Sequence, residues 1–556
     1  MTGFAAARAR ARRAGAVATL ATLGRDPDPV ALLGARLGAS ERLRDLTVDR
    51  LRTRSSGDST LLLQPVIRTQ LVEALTAHLE VAAGATTLDD AATTGTAGAA
   101  RLDALHRTVT STDRLLLRCH GATGYLVGGV GGDVDAGERA ADRLGRATTA
   151  APAPAQHAAP PAAAQPSGRT AADPAPPGDL PQLRRTARAW ARELADRAAV
   201  LDADPARAAS LVDLAGPRWL ATAGIPRDEG GTALRSDGRD VTGASAVERA
   251  VVLEELARGD LGATLAAPGP SMSGVLVAHL ADDDQRRRFH GALLERPTWT
   301  CFALTEPGHG SDATGLRTRA DAAPGGSLVL RGEKRYIGNA ARADLAVVFA
   351  RRAPGPLGIG AYLVDARDAR FLATPLDTLG LRAAQLCAVR LADLPVDPDD
   401  ELGRRRRPGR RGLRAAVAVF HRLRPGVAAM AVGVAACAVD VLDDAWPRPP
   451  RDVADARAGL VHEIAAVRTL VLDAAYRVDA TGDGTAGALA KARACRLAEE
   501  VTLEVAHLLG PGARDRFPVL DRAVRAARGL EFMEGARNVQ ALTAFRGLDA
   551  GHLGAP

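Results

Sequence analysis

Four stretches of this chain hold residue types and spacings suited to chemistry. The first is Cys301-Phe302-Ala303-Leu304-Thr305-Glu306-Pro307-Gly308-His309-Gly310-Ser311-Asp312, a short β-type run that breaks into a Pro/Gly turn. Gly308 and Gly310 add no side-chain bulk, so a polar ligand can approach the backbone closely, with the Thr305 and Ser311 hydroxyls beside it. The second, Gly332-Glu333-Lys334-Arg335-Tyr336-Ile337-Gly338-Asn339-Ala340, repeats the pattern: a strand closing in small and polar residues. The third is Glu531-Phe532-Met533-Glu534-Gly535, at the end of a helical pattern. A carboxylate followed by glycine there can face a ligand with open backbone beside it, and in a dry pocket its pKa rises towards what proton abstraction requires. Glu534 and Glu531 compete for that role. The fourth is Arg404-Arg405-Arg406-Arg407-Pro408-Gly409-Arg410-Arg411. It reads either as a solvated loop or as a contact for phosphates or an acidic carrier protein.

The elements that must position these residues follow from periodicity. Residues 1–145 are expected to be mostly helical, with helices over 61–83 and 101–117. The glycine cluster around His120 and 128–132 reads as a loop, because it does not match the dinucleotide fingerprint between a strand and a helix. Residues 146–180 are a Pro/Ala-rich linker that cannot pack a core. Residues 181–296 return to helical periodicity, with an amphipathic helix over 245–258. Residues 297–400 switch to period-two runs, with strands expected over 299–304, 327–331, 345–350, 361–364 and 387–391. Residues 401–556 are again helical, over 411–444, 452–478, 485–509 and 518–535. The expected class is α+β: a helical domain, a small central β domain and a C-terminal four-helix bundle, with an extra helical region in front.

Length and composition bound the function. A chain of 556 residues implies several domains. Lys334 and Lys491 are its only lysines among 72 basic residues. This bias is a property of the whole chain, so the net charge of +7 points to no particular partner. No basic element interleaved with aromatic or polar readers occurs, which argues against nucleic-acid binding. Five widely spaced cysteines without a C-x-x-C argue against a disulfide framework or a metal site and for a reducing compartment, so a cytoplasmic location is expected. The arginine-rich start, with its short alanine- and threonine-dominated run, makes a poor secretion signal. No apolar run long enough to span a membrane is expected.

The two turn-forming segments resemble the flavin-gripping segments of the acyl-CoA dehydrogenase family. They are similar in particular to a subgroup that includes glutaryl-CoA dehydrogenases and short-chain acyl-CoA oxidases. The stretch Trp219-Leu220-Ala221-Thr222-Ala223-Gly224-Ile225-Pro226 and the later Val251-Val252-Leu253-Glu254-Glu255-Leu256-Ala257-Arg258-Gly259-Asp260 resemble its N-terminal domain. Arg424-Pro425, followed by Ala428-Ala429, Ala431 and Gly433, resembles its R-P-x-x-A-A-x-A-x-G helix. Arg525 with Glu534-Gly535 and Val539-Gln540 resembles its closing motif.

The resemblance covers 185–548 and implies FAD and an acyl thioester, carried by CoA or by acyl carrier protein. The thioester is dehydrogenated to the trans-2-enoyl form, with electron-transfer flavoprotein or oxygen as acceptor, in a homodimer or homotetramer. It implies a place in lipid or secondary metabolism. Glu534 becomes the expected catalytic base. Leu423 precedes Arg424 where some relatives place the base instead, and leucine cannot take a proton. Ser311, His421 and Arg424 are expected at the substrate. Phe302, Leu304, Thr305, Gly310, Ser311, Tyr336, Ile337, Gly338 and Asn538 are expected around the flavin, with Tyr336 against the ring system. Gly338 stands where many relatives carry Thr or Ser, and the room it leaves makes an oxidase the alternative reading. The family's diphosphate-binding Arg-x-x-Phe-Gly is missing from 446–462, and Ala536 replaces a usual hydroxyl residue, which keeps open a non-catalytic thioester- or carrier-protein-binding homologue.

Overall fold

The computed structural model describes residues 2–23, 28–53, 55–56, 59–88, 96–120, 137, 140, 180–307, 313–535 and 537–549. Most of the expected linker and the glycine cluster after His120 lie outside the described residues. Internal contacts divide the chain into two units, Met1–Pro176 with Ala454–Leu470, and Pro177–Val453 with Val471–Pro556.

The first unit is helical. Thr2–Ala14, Ala16–Leu23, Pro29–Thr53, Pro65–Thr86 and Thr96–His120 form its described helices. Alanine faces join the first and third, where Ala7, Ala11, Ala31 and Ala35 are buried. A Cβ at Gly38 would meet the Arg8 carbonyl oxygen at 2.1 Å, so these two helices cross at backbone contact. Buried polar residues hold the centre. Arg44 Nη1 lies 3.3 Å from His78 Nδ1, and His78 Nε2 lies 2.8 Å from Ser40 Oγ. Burial and then Arg44 keep His78 neutral. An arginine N–H facing Nδ1 leaves the ring proton on Nε2, so His78 donates to Ser40 and cannot act as its base.

The second unit is built helix, sheet, helix. Its leading helices are Pro181–Ala203, Ala215–Ala221, Ala246–Ala266, Ser271–Leu280 and Asp283–Glu295. A short hairpin, Leu234–Ser236 with Arg239–Val241, interrupts them and was not expected from the sequence. Asp282 and Gln285 form a reciprocal capping box. The helix Ala246–Ala266 runs past the expected end at 258 and bends at Asp260, whose backbone is extended. Asp260 Oδ1 then accepts from Ala263 N and restarts the helix, turning Thr264 and Leu265 in a new direction.

Seven strands follow: β1 Thr300–Ala303, β2 Arg319–Ala322, β3 Leu328–Ile337, β4 Leu345–Arg351, β5 Ile359–Asp365, β6 Phe371–Pro375 and β7 Cys387–Val396. They are ordered β6-β7-β3-β2-β4-β1, and β5 also pairs with β4. β1 and β4 are parallel, while β3 and β7 are antiparallel with Ile337 opposite Cys387. β2 and β6 are additions to the expected set. They are short, with exposed polar positions that hide the period-two signal. Alternation buries Cys301, Ala303, Ala346 and Val348 on one face of the sheet. Val347 and Phe349, with Phe302, pack on the other against Leu276, Phe289 and Val419 of the helices. That second face carries the site.

The closing helices are Leu413–Ala445, Thr485–Leu508, Pro518–Leu530 and Arg537–Asp549, with a single turn over Ala513–Arg516; of the helix Arg451–Thr481, residues Ala454–Leu470 belong to the first unit. Two expectations need correction. The helix expected to reach 535 stops at Leu530, which puts Glu534 in a turn. The other concerns membrane-length apolar segments: no uninterrupted apolar run of that length occurs, but the stretch Pro408–Ala445 is long and apolar enough by length and composition, with Arg424 and Asp440 bounding its uncharged run. Within the protein 89% of its most apolar window is buried.

Candidate active site

A cavity of about 440 Å³ opens between the helices Ala246–Ala266, Ser271–Leu280 and Leu413–Ala445 and the turn at Glu534. Leu253, Leu265, Val427 and Met430 give it an apolar stretch, while Arg249, Arg422 and His279 line it elsewhere. From the sheet it takes Thr300, and from the turn after β3 it takes Asn339.

Glu534 reaches the cavity from a residue with φ +51°, the left-handed region that side-chain-bearing residues rarely adopt. Side chains from elsewhere hold that turn. Lys491 Nζ donates to the carbonyls of Glu531 (2.7 Å) and Gly535 (2.8 Å). Gln540 Nε2 donates to those of Glu534 (3.1 Å) and Gly535 (2.7 Å). The residue as a whole is half-buried, but Oε2 is shielded from solvent and has no hydrogen-bond partner among the described residues. Burial pushes the carboxyl up to about 7, against the opposing charges of Arg424, Lys491 and Arg249. Glu531, the competitor, does not line the cavity, and its carbonyl serves Lys491.

The expected flavin segments are the ends of β1 and β3, and of this region only Thr300 and Asn339 line the cavity; Phe302, Leu304, Thr305, Tyr336, Ile337 and Gly338 lie outside its lining. Arg335 N donates to Thr305 O at 2.9 Å, tying the two segments together. Lys334 is fully buried and donates to Leu304 O (3.1 Å) and Glu306 Oε1 (2.8 Å). Glu306 also accepts from Arg317 N (2.5 Å) and Thr318 N (2.9 Å), so one carboxylate closes the base of the loop between β1 and β2. Burial pulls the Lys334 ammonium down to about 8 although Glu306 opposes it. Burial also acts to raise Glu306, but Lys334 and the N–H donors outweigh it and hold the carboxyl low.

Beyond this anchor, Tyr336 sits at φ +63° with 60% of its surface exposed. A Cβ on Gly338 would meet nothing closer than Leu386 Cδ2 at 3.8 Å. Asn339 Oδ1 is buried and without a partner among the described residues. Phe302, partly buried, packs between Phe349 and Phe420, while Leu304 and Ile337 are buried and offer a ligand backbone only. A flat group with a polar edge fits here: an aromatic face, open space beside a glycine, and an amide oxygen in need of a donor. Gly310 and Ser311 lie outside the described residues. Asn538 falls in the helix Arg537–Asp549, and its side chain is likewise outside them.

The structure brings Arg424 to Glu534 but not into the cavity lining, which takes Arg422 and Leu423 from the same helix. Arg424 is buried, with Nε and Nη1 unpartnered among the described residues. His421 lies outside the lining too, packed against Gly484 and held neutral by burial and Arg424. In the arginine run, Arg404 pairs with Asp399 and Arg411 with Glu401, whereas Arg405, Arg406, Arg407 and Arg410 are exposed. Sequence reasoning singled out neither Arg249 nor the supporting roles of Lys491, Gln540 and Glu306. Of the only two lysines, Lys334 falls inside a segment that the sequence singled out, whereas Lys491 lies in the helix Thr485–Leu508, away from all of them.

Family models match three consecutive stretches: the acyl-CoA dehydrogenase N-terminal domain over 179–296, the middle domain over 301–394 and the C-terminal domain over 410–548. The chain is 29% identical over 324 residues to a probable acyl-CoA dehydrogenase, FadE25, of Mycobacterium tuberculosis, covering 55% of this chain and 81% of that one. The fold is similar to that of butyryl-CoA dehydrogenase from Megasphaera elsdenii, with TM-score 0.59 and 24% identity over 66% of this chain and 99% of that one. It is also similar to the prolyl acyl carrier protein oxidase AnaB, with TM-score 0.57 and 18% identity over 66% and 97%.

Proposed function

The chain belongs to the acyl-CoA dehydrogenase family, oxidoreductases acting on CH–CH bonds, and we propose that it dehydrogenates an acyl thioester between Cα and Cβ with FAD as cofactor. One observation carries this reading: a carboxylate with a shielded, unpartnered oxygen and a pKa near 7, fixed in a left-handed turn at the wall of a largely apolar cavity. Glu534 takes the α-proton onto that oxygen, and the electron pair of the broken Cα–H bond becomes the new double bond. The flavin, when bound, supplies the acceptor for the hydride leaving Cβ. Thr305, Tyr336, Ile337 and Gly338 are the residues that would hold it. Phe302 and Leu304 would support them, with Gly310, Ser311 and Asn538 as further contacts. Leu253, Val427 and Met430 keep water from the carboxylate, which preserves its basicity. Arg424 and Lys491 limit the cost of ionising Glu534 in that setting.

The experiment is anaerobic addition of butyryl-CoA to the purified, FAD-loaded protein. Bleaching of the flavin absorbance supports the reading. Glu534→Gln should keep FAD and lose bleaching by about a thousandfold. A protein that binds FAD and stays coloured with every acyl thioester offered would sink it. The open space at Gly338 favours a second reading, an oxidase, in which colour returns rapidly in air.

A further inference from the structure

We propose that His290, held by Glu229, determines substrate choice by accepting a hydrogen bond from a hydroxyl group on the acyl chain. The cavity then selects a hydroxylated acyl thioester over a plain one. The inference rests on the dehydrogenase reading above and names the substrate class within it.

His290 comes from the helix Asp283–Glu295 and lines the same cavity as Glu534, although only 4% of its side chain is exposed. Its Nδ1 lies 2.5 Å from Glu229 Oε2. Glu229 closes a short turn, Arg227–Glu229, which ends at Gly230 with φ +92°. A Cβ on Gly230 would meet Leu294 Cδ1 at 2.9 Å, so the turn lies directly on the helix that carries His290. Arg286, one helical turn before His290, reaches the other carboxylate oxygen with Nε at 3.4 Å. Glu229 thus has the imidazole on one oxygen and a cation near the other, and it stands behind the ring, outside the cavity lining.

This pairing decides what the ring offers a ligand. An ionised carboxylate only accepts, so the Nδ1 facing it carries a proton and donates. In the neutral ring Nε2 is then an acceptor, and it makes no hydrogen bond among the described residues. The neighbours supply no donor. Ile225 and Phe289 pack with Met272 and Val275 in one apolar cluster. The Thr300 hydroxyl, in the same lining, donates to Gly269 O (2.8 Å) and Pro270 O (3.0 Å). A ring nitrogen left unmet in such a wall is costly, and a leucine there would avoid the cost. A hydroxyl on the ligand removes it, since O–H donates to Nε2. It is uncharged and needs no counter-ion among apolar neighbours. It also suits the protonated ring, whose Nε2–H donates to the hydroxyl oxygen instead. Glu534 enters from the closing turn and makes no hydrogen bond with His290 among the described residues. One side chain therefore handles the α-proton and another the hydroxyl.

The test compares matched pairs on the FAD-loaded protein: 6-hydroxyhexanoyl-CoA against hexanoyl-CoA, and 8-hydroxyoctanoyl-CoA against octanoyl-CoA. At least one pair should favour the hydroxylated member by about thirtyfold in kcat/KM, because a site built for a polar group rejects the analogue lacking it. His290→Leu should shrink that preference to within about threefold, and His290→Gln, which keeps an acceptor, should restore part of it. If His290 only braces the turn Arg227–Glu229, both members of each pair fall together in His290→Leu and their ratio holds, which overturns the proposal. If a water is all that Nε2 requires, the native protein shows no preference for either hydroxylated thioester, which overturns it too. Calorimetric affinities of the same four thioesters give the ratios without turnover, so a protein that never bleaches still decides this question separately from the dehydrogenase reading. Should His290→Leu fail to fold, Glu229→Gln, which no longer fixes the Nδ1 proton, is read in the same way, with a smaller loss expected.

Discussion

Two of the chain's 72 basic residues are lysine, one beneath the ends of β1 and β3 and the other beneath the Glu534 turn. Both are fully buried and both point at backbone carbonyls. An ammonium is compact enough to be enclosed and offers three donors in freely chosen directions, which a flat guanidinium does not. The surroundings differ. Lys334 has a carboxylate partner, Glu306, inside a region whose shape the pairing of β3 with β7 already sets. Lys491 has carbonyl partners in a turn with no strand or helix to define it. The same residue therefore does different work: on the sheet side it neutralises a buried charge, and on the Glu534 side it shapes the backbone that aims a base.

Substitutions can break that contrast. The larger effect of the pair on turnover belongs to Lys491→Met. It leaves only neutral carbonyls unpaired, so stability falls modestly. It frees the turn carrying Glu534, however, and kcat should drop by about a hundredfold with FAD binding little changed. Rapid mixing and flavin spectra check both halves. An enzyme with normal kcat would show that Gln540 alone sets the turn. Lys334→Met should do the reverse. It strands the Glu306 carboxylate in a dry interior, a change that costs about 3–5 kcal/mol on unfolding in urea. The surviving folded fraction should turn over within a few fold of normal. Equal losses of stability in the two variants would erase the distinction.

The same contrast explains what the sequence made legible. The alternation of helix and strand patterns is local, so the helix–sheet–helix order could be read directly, apart from short β2 and β6. The Glu534-Gly535 turn was visible as a motif because its residues are neighbours in the chain. Lys491 lies 40 residues from the Glu531 carbonyl it holds, and Arg249 meets Arg422 only after the two helices pack. Glu306 sat inside the most closely read segment, yet its bonds to Arg317 and Thr318 depend on where the chain returns. Position along the chain was legible; convergence was not.

A pH profile sharpens the comparison further. With the Glu534 carboxyl near 7, kcat/KM should rise about tenfold per unit at acid pH and level off above neutrality, as the base loses its proton. The stability effect has the opposite sense. The folded protein holds this proton at pH values where the unfolded chain has released it. Stability therefore declines as pH rises from the ordinary carboxylate range to about 7, and Glu534→Gln should remove that decline. Lys491→Met should move the kinetic midpoint upward, since it deletes a cation that favours the carboxylate. An unmoved midpoint would leave Lys491 a bracing role alone.

The smallest expected effect concerns a feature that the two regions share. Tyr336 and Glu534 both hold φ in the left-handed region, at +63° and +51°. A residue with a side chain meets a steric penalty there that glycine escapes, of about 1–3 kcal/mol. Tyr336 is mostly exposed, so its side chain contributes little burial to offset that penalty. Tyr336→Gly should therefore stabilise the apoprotein by about 1 kcal/mol in urea, after allowing for the extra freedom of glycine in the unfolded chain. The same change should weaken FAD retention, because the aromatic face is lost. Glu534→Gly should also relieve strain while abolishing turnover. If Tyr336→Gly destabilises the apoprotein, then the strand end is held by contacts of the ring itself, and the sheet-side region depends on Tyr336 as closely as the Glu534 turn depends on Lys491.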